Sequence, residues 1–224
     1  MSKRSYEQVC ALATALDILG DRWSLLIARE LLFGARRYSD ILRYLPGIGT
    51  NLLARRLKEL EGAGFIERQK LPPPAGTTVY ALTPIGRQQL TPLIRALTEF
   101  GVIYLQYPPQ PGHFVPASAT MGALAKFFQR ERAAGFSARV EFRLAEDVFH
   151  CAIEDGIMTE LGFGLLPDAE LILQGTTDAF MGLVVGYLEV ATLLTNDELT
   201  IIAGTPAQAE QFFAQFAGRF EEAV

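Results

Sequence analysis

The chain is poor in the residues from which metal sites, disulfide frameworks and acid–base pairs are built. Its 224 residues hold two cysteines, Cys10 and Cys151, and two histidines, His113 and His150. The cysteines stand far apart with no metal-ligand spacing, which excludes a disulfide framework and a zinc site and fits a reducing compartment. No Cys, Asp or Glu set surrounds either histidine at ligand or triad spacing. No Gly-rich phosphate loop follows a strand, and the adjacent acids Glu146 and Asp147 fall at a hairpin turn, where a solvated role outweighs acid–base work. Neither cofactor nor metal is expected, and the sequence argues against an enzyme. Long apolar runs are missing as well. None approaches the roughly 18 residues needed to span a bilayer, and the opening MSKRSYEQVC lacks the apolar core of a signal peptide. The expectation is a cytoplasmic protein with no membrane partner.

What is present is enough apolar material, 50% of residues with 20% charged, for one large core or two small ones. The net charge of -5 hides an asymmetry. Residues 1–107 hold 14 Lys and Arg against 9 Asp and Glu, whereas residues 108–224 hold 6 against 16. A polyanion would therefore meet the first half and be repelled by the second.

In the first half, QVCALATALDIL (8–19) repeats apolar residues at helical spacing and stops at Gly20, read as a left-handed helix end. Asp21 is placed to cap a helix over 22–33, Ser39 to cap DILRYL, and Thr50 to cap a fourth helix running to about Ala63 after the turn PGIG. On that fourth helix Leu57 and Leu60 fall within about 40° of Leu53, while Asn51, Arg55 and Lys58 fall about 140° to 200° away, at 100° per residue. One side packs; the other presents residue types that bond base edges and phosphates in a major groove. Taken alone, the basic side reads rather as a solvated amphipathic face, since most basic helix faces are merely wet. FIERQK and TTVYAL then alternate like strands around LPPPAG, a hairpin or wing, with Arg68 and Lys70 near its tip, where cations reach phosphates.

The order GDRW, ELLFG-RRYSDI, PGI-TNLL-RLKELE-AG and Y-LT--G, spaced without insertion from residue 10 to about 107, closely resembles the HxlR-type branch of MarR-like winged-helix transcriptional regulators. The resemblance implies a homodimer on double-stranded operator DNA, with residues 50–63 in the major groove and the wing alongside. Carried over by position, Thr50, Asn51, Arg55 and Lys58 would face bases or nearby phosphates, and Arg36, Arg37 and Ser39 would hold the DNA backbone. Arg56, on the helix flank, is left out as a partner for acids such as Glu59. The helix expected over 84–107 carries a stripe at Leu90, Leu93, Ile94, Leu97, Gly101 and Tyr104 that packs within its own domain or, by the resemblance, on a second subunit. Two reading helices would then lie about 34 Å apart, one duplex turn. Cysteines ahead of the first helix act as sensors in some relatives, which makes Cys10 a candidate redox sensor; the alternative is a small buried hydrophobe with no neighbouring cation to activate it.

YPPQPGHFVPASAT interrupts every periodicity and reads as an extended linker, so the domains are taken as 1–107, a linker over 108–117, and 118–224. In the second half ALAKFFQRERA looks helical, VEFRL and VFHCAI alternate as strands, and Asp155-Gly156 closes another hairpin. AELILQG and LTIIAG add strands, DAFMGLVVGYLEVATLL adds helices, and PAQAEQFFAQFAGRF ends the chain as a helix opened by Pro206. The fold class is α+β, layered in this half. The run PDAELILQGTTDAFMGLV above all resembles the sterol-carrier-protein fold, which implies a cavity between sheet and helices for an apolar small-molecule effector. Phe142, Phe149, Phe180, Met181, Val184 and Leu188 are the candidate lining, with ordinary core packing as the alternative. An acidic structural or interaction module is the rival reading of this half, and a lipid carrier with a vestigial winged helix that of the whole.

Overall fold

A computed structural model describes residues 5–72 and 76–216, and its contacts divide the chain into two units, Met1–Glu99 and Phe100–Val224. In the first unit helix α1 spans Ala11–Leu19 and α2 spans Ser24–Glu30. Gly20 between them has φ -69° and ψ 0°, not the left-handed turn expected. The requirement there is space, since a Cβ would come 2.4 Å from the Leu16 carbonyl oxygen. Asp21 is not the cap of α2, which is shorter than the expected 22–33 and has Trp23 as its N-cap; the Asp21 Oδ1 instead accepts from the Trp23 N–H at 3.0 Å in the turn before the helix.

Helix α3 (Tyr38–Tyr44) begins one residue before Ser39, and its first turn is tied by Asp40 Oδ2, which accepts from the Arg37 N–H at 3.3 Å. Helix α4 (Thr50–Gly62) follows the N-cap residue Gly49, so Thr50 is its first helical residue and not its cap. The shifts, two residues for α3 and one for α4, are of the size at which helix ends are set by local bonds and not by periodicity. Gly64, at φ +79°, turns the chain out of α4.

The short strand β1 (Arg36–Arg37), which no alternation announces, pairs with β3 (Thr78–Leu82), and β3 pairs antiparallel with β2 (Ile66–Lys70). The expected wing is therefore present as β2–β3, while Pro73, Pro74 and Ala75 of its tip lie outside the described residues. Helix α5 runs over Pro84–Val102, shorter than the span to 107 expected from the apolar stripe. Trp23, Ile27, Leu31, Ile41, Leu45, Leu53, Leu57, Leu60, Leu82 and Leu90 form one buried cluster, the core against which α4 is held.

The second unit contains α6 (Ala117–Phe127), β4 (Ala138–Arg143), β5 (Val148–Glu154), β6 (Ile157–Phe163), β7 (Leu171–Gly175), α7 (Thr177–Val184), α8 (Val190–Thr195), β8 (Leu199–Ala203) and α9 (Pro206–Phe213). The sheet order is β6-β5-β4-β7-β8, with β4 and β7 parallel and the other pairs antiparallel. Phe142 and Phe149 stack across β4 and β5 with centroids 4.6 Å apart, and Phe180 of α7 meets Phe142 edge-on at 5.1 Å. The opposite sheet face is crossed by the segment after β6: the Leu166 N–H donates to the buried Glu141 at 3.0 Å and Arg139 donates to the Pro167 carbonyl at 3.1 Å. Two expectations shift here. Helix α6 begins at Ala117, behind Pro116, and ends before QRERA. The linker contains a turn, with the His113 N–H on the Gln110 carbonyl, and is not extended throughout.

Candidate nucleic-acid interface

Three leucines fix which side of α4 looks outward. Leu53, Leu57 and Leu60 are 0%, 1% and 2% exposed, so the helix is held through one apolar seam. Asn51, Arg55 and Lys58 are exposed on the side away from it. Among the described residues, Arg55 and Lys58 make no ion pair, which leaves both cations available to an anion. Thr50 is exposed at the start of the same helix.

The elements beside α4 bring up part of the remaining set. Tyr38 in the first turn of α3 donates its hydroxyl to the Thr50 carbonyl at 2.7 Å, so the beginnings of α3 and α4 are tied together, and Arg37 and Ser39, both exposed, flank that tie. Arg68 and Lys70 project from the same side of β2, two residues apart. Arg68 Nε bonds Glu61 at 3.0 Å, and this hydrogen bond, with the carboxylate charge behind it, raises the arginine's pKa. Lys70 is exposed near the end of the wing.

Arg36 departs from the set. It is 4% exposed, and its guanidinium lies over the Tyr44 ring at 5.1 Å, so it stiffens the junction of β1 and α3 from within and does not reach outward to a phosphate. Arg56 takes the flank position expected of it and bonds Glu59 at 2.5 Å. Its second arm reaches Asp21, a partner 35 residues away that no local pattern signals. Tyr38 likewise carried no signal in the sequence as a helix tether.

Cys10 is exposed as the residue preceding α1, and the backbone N–H groups of Ala13 and then Leu12 lower its thiol pKa. The buried alternative weighed for it is thereby corrected: a helix N-terminus supplies what neighbouring cations do not. Cys151 is buried, and desolvation pushes its thiol up to about 12.

The candidate effector residues of the second unit come together as core. Phe142, Phe149, Phe180 and Val184 are 0% exposed, Met181 is 7% exposed, and Leu188 is half-buried. A depression of about 570 Å³ lies elsewhere in the unit, open to solvent beside the β4–β5 turn and lined by Leu144, Ala145, Glu146, Asp147, Val148, Gly164 and Leu165. Among the described residues no group of three His, Cys, Asp or Glu side chains is placed to hold a metal ion, and no helix is long and apolar enough to cross a membrane.

Residues 18–108 match the HxlR-like helix-turn-helix family. An uncharacterized HTH-type transcriptional regulator of Synechocystis sp. is 36% identical over 98 residues, 44% of this chain and 72% of that protein. A second such regulator, from Methanothermobacter thermautotrophicus, is 33% identical over 110 residues, 49% of this chain and 83% of that protein. Among solved structures, the reduced form of the transcriptional regulator YodB from Bacillus subtilis is 32% identical and covers 46% of this chain and 100% of its own, with a TM-score of 0.38. These relatives are transcriptional regulators. With its exposed basic side, its wing and the Synechocystis and Methanothermobacter regulators, the chain belongs to the HxlR-like helix-turn-helix family of transcriptional regulators.

Proposed function

We propose that the protein is a cytoplasmic regulator that binds double-stranded operator DNA as a homodimer, with α4 in the major groove and the β2–β3 wing beside it. One observation carries this reading: Leu53, Leu57 and Leu60 are buried on the same helix that exposes Asn51, Arg55 and Lys58. Asn and Arg are the side chains that bond adenine and guanine edges in two places at once, and Lys supplies a phosphate contact. Arg37, Ser39, Thr50, Arg68 and Lys70 complete the proposed contact set. The homodimer is supported by apolar side chains left in water on two helices, Leu12 at 68% and Leu16 at 43% on α1, Leu93 at 37% and Leu97 at 47% on α5. Selection of bound sequences from a random duplex pool tests the reading. An approximately palindromic sequence, bound with a steep negative dependence on salt, is the expected outcome; recovery of no preferred sequence overturns it.

For the second unit a five-stranded sheet with aromatic-rich helices on one face supports the sterol-carrier-type reading and an apolar effector. Its closed packing favours the other reading, an acidic structural or interaction module that keeps non-specific polyanions away. Phe142, Phe149 and Phe180 touch ring to ring at 4.6 to 6.1 Å, so an effector would have to part them to enter. Native mass spectrometry after incubation with a cellular small-molecule extract separates the two: a retained apolar mass supports the effector, and an unliganded mass supports the module. The lipid-carrier reading is disfavoured by the intact basic row on α4.

A further inference from the structure

Arg55, Arg56 and Lys58 stand within four positions on α4, and their charges alone do not distinguish them. Their surroundings do. The Arg56 side chain is 19% exposed and uses both terminal nitrogens inside the protein, one on Glu59 at 2.5 Å in the next turn and one on Asp21. Asp21 is itself anchored, since its other oxygen accepts the Trp23 N–H at 3.0 Å at the entrance to α2. A planar guanidinium held at two points fixes direction as well as distance, which a lysine ammonium cannot do.

We propose that Arg56, steadied by Glu59 of the same helix, is a positioning residue that sets the rotation of α4 about its axis through Asp21 and does not itself touch DNA. This rests on α4 being the reading helix. The apolar seam alone does not fix the rotation sharply, because burial of leucines is non-directional. Base-edge bonds tolerate far less, since donor–acceptor contacts weaken steeply once misaligned. Arg56 sits on the flank between seam and reading side, the position from which a tether resists turning in either direction. The Tyr38 hydroxyl on the Thr50 carbonyl holds the helix at its start, and Arg56 holds it about two turns further on.

The test uses the full chain and a duplex selected by the wild-type protein from a random pool, with a scrambled duplex as reference, at several salt concentrations. Arg56→Lys keeps the charge and loses the two-armed geometry. Asp21→Asn keeps an acceptor for the Trp23 N–H and loses the charge that draws Arg56. Thermal unfolding confirms that each variant is folded. Both variants are expected to lower the ratio of selected to scrambled affinity by about fivefold or more, the discrimination that a bidentate base contact carries, while scrambled-duplex affinity and salt slope hold. The double variant is expected to lose no more than either single one, because both break one link. Arg56→Gln is the counter-test: a salt slope smaller by about 0.9 would show that Arg56 neutralises a phosphate and would overturn the proposal. An unchanged ratio in Arg56→Lys and Asp21→Asn removes the positioning role alone. A wild-type ratio near one removes the reader and the positioning role together.

Discussion

Arg55 and Lys70 carry the same charge and are both exposed, yet one is on the helix that bears the seam and the other near the wing's end, so their loss should be felt differently. Arg55→Ala is expected to cost about 1–3 kcal/mol at one base position and to relax the preference there. Lys70→Ala is expected to weaken all sequences alike and to reduce the salt slope by about 0.9. Quantitative binding to the selected duplex and its single-base variants measures both; uniform weakening by the two substitutions would remove the distinction. The cysteines are contrasted in the same way. Backbone N–H groups at the start of α1 favour the thiolate of Cys10, so its fraction ionised rises at lower pH than for an unperturbed thiol. Cys151, pushed up to about 12 and buried, remains protonated across neutral pH. Alkylation followed by peptide mapping should therefore label Cys10 alone in the folded protein, with a rate that levels off at a lower pH than that of a free cysteine peptide. If Cys10 is a sensor, mild peroxide or quinone treatment changes DNA affinity in the wild type and not in Cys10→Ser; unchanged affinity in both disposes of that role.

Helix α4 is legible because its information is local: a 3.6-residue repeat of leucines, a glycine on either side and a basic face opposite the seam are all written within the sixteen positions from Gly49 to Gly64. The same holds for the wing and for most strands of the second unit, whose alternation and turn residues stand in sequence. What escaped depends on contacts between distant residues. The strand β1 exists because Arg36 and Arg37 meet Tyr80 and Val79 of β3, more than forty positions later, and two residues carry no alternation to read. Arg36 looked like a surface cation beside Arg37, and only the tertiary fold places it over the Tyr44 ring. The phenylalanines of the second unit were legible as apolar-face residues, but whether such a face closes on itself or on a cavity is set by how α7 and α9 settle over the sheet, which no periodicity encodes. The α4 seam makes a prediction at this scale. Leu57 is 1% exposed, so Leu57→Ala is expected to destabilise the first unit by about 2–5 kcal/mol through lost transfer energy and the cavity left behind. Denaturant titration should show this as a lower midpoint, with DNA affinity retained while the unit remains folded. A loss below 1 kcal/mol would mean that the seam is not what holds the helix.

Across the whole chain, charge and apolar exposure are distributed for different purposes. The first 107 residues carry a net +5 and the remainder a net -10, so a polyanion is drawn to one half and repelled by the other. The basic half also leaves on α1 and α5 a set of large apolar side chains in water that a monomer has no reason to expose in such number. Covering them with a second copy would account for that exposure and, on the proposed function, supply two reading helices related by a two-fold axis, as a short α4 needs in order to specify a site. Leu97, at 47% exposed, is a suitable probe because its substitution disturbs little of the buried core. Leu97→Glu places a charge on the apolar stripe without opening a cavity. Sedimentation velocity should show the wild type as a dimer and Leu97→Glu as a monomer that still unfolds cooperatively, at a midpoint lowered by the stabilisation that dimerisation adds. Affinity for a palindromic duplex should fall steeply, while affinity for a single half-site should stay as it was, because the reading side of α4 is untouched. A dimer that survives the substitution places the interface elsewhere; a wild type that remains monomeric at micromolar concentration and on DNA removes the two-fold reading and leaves α4 to recognise a single half-site.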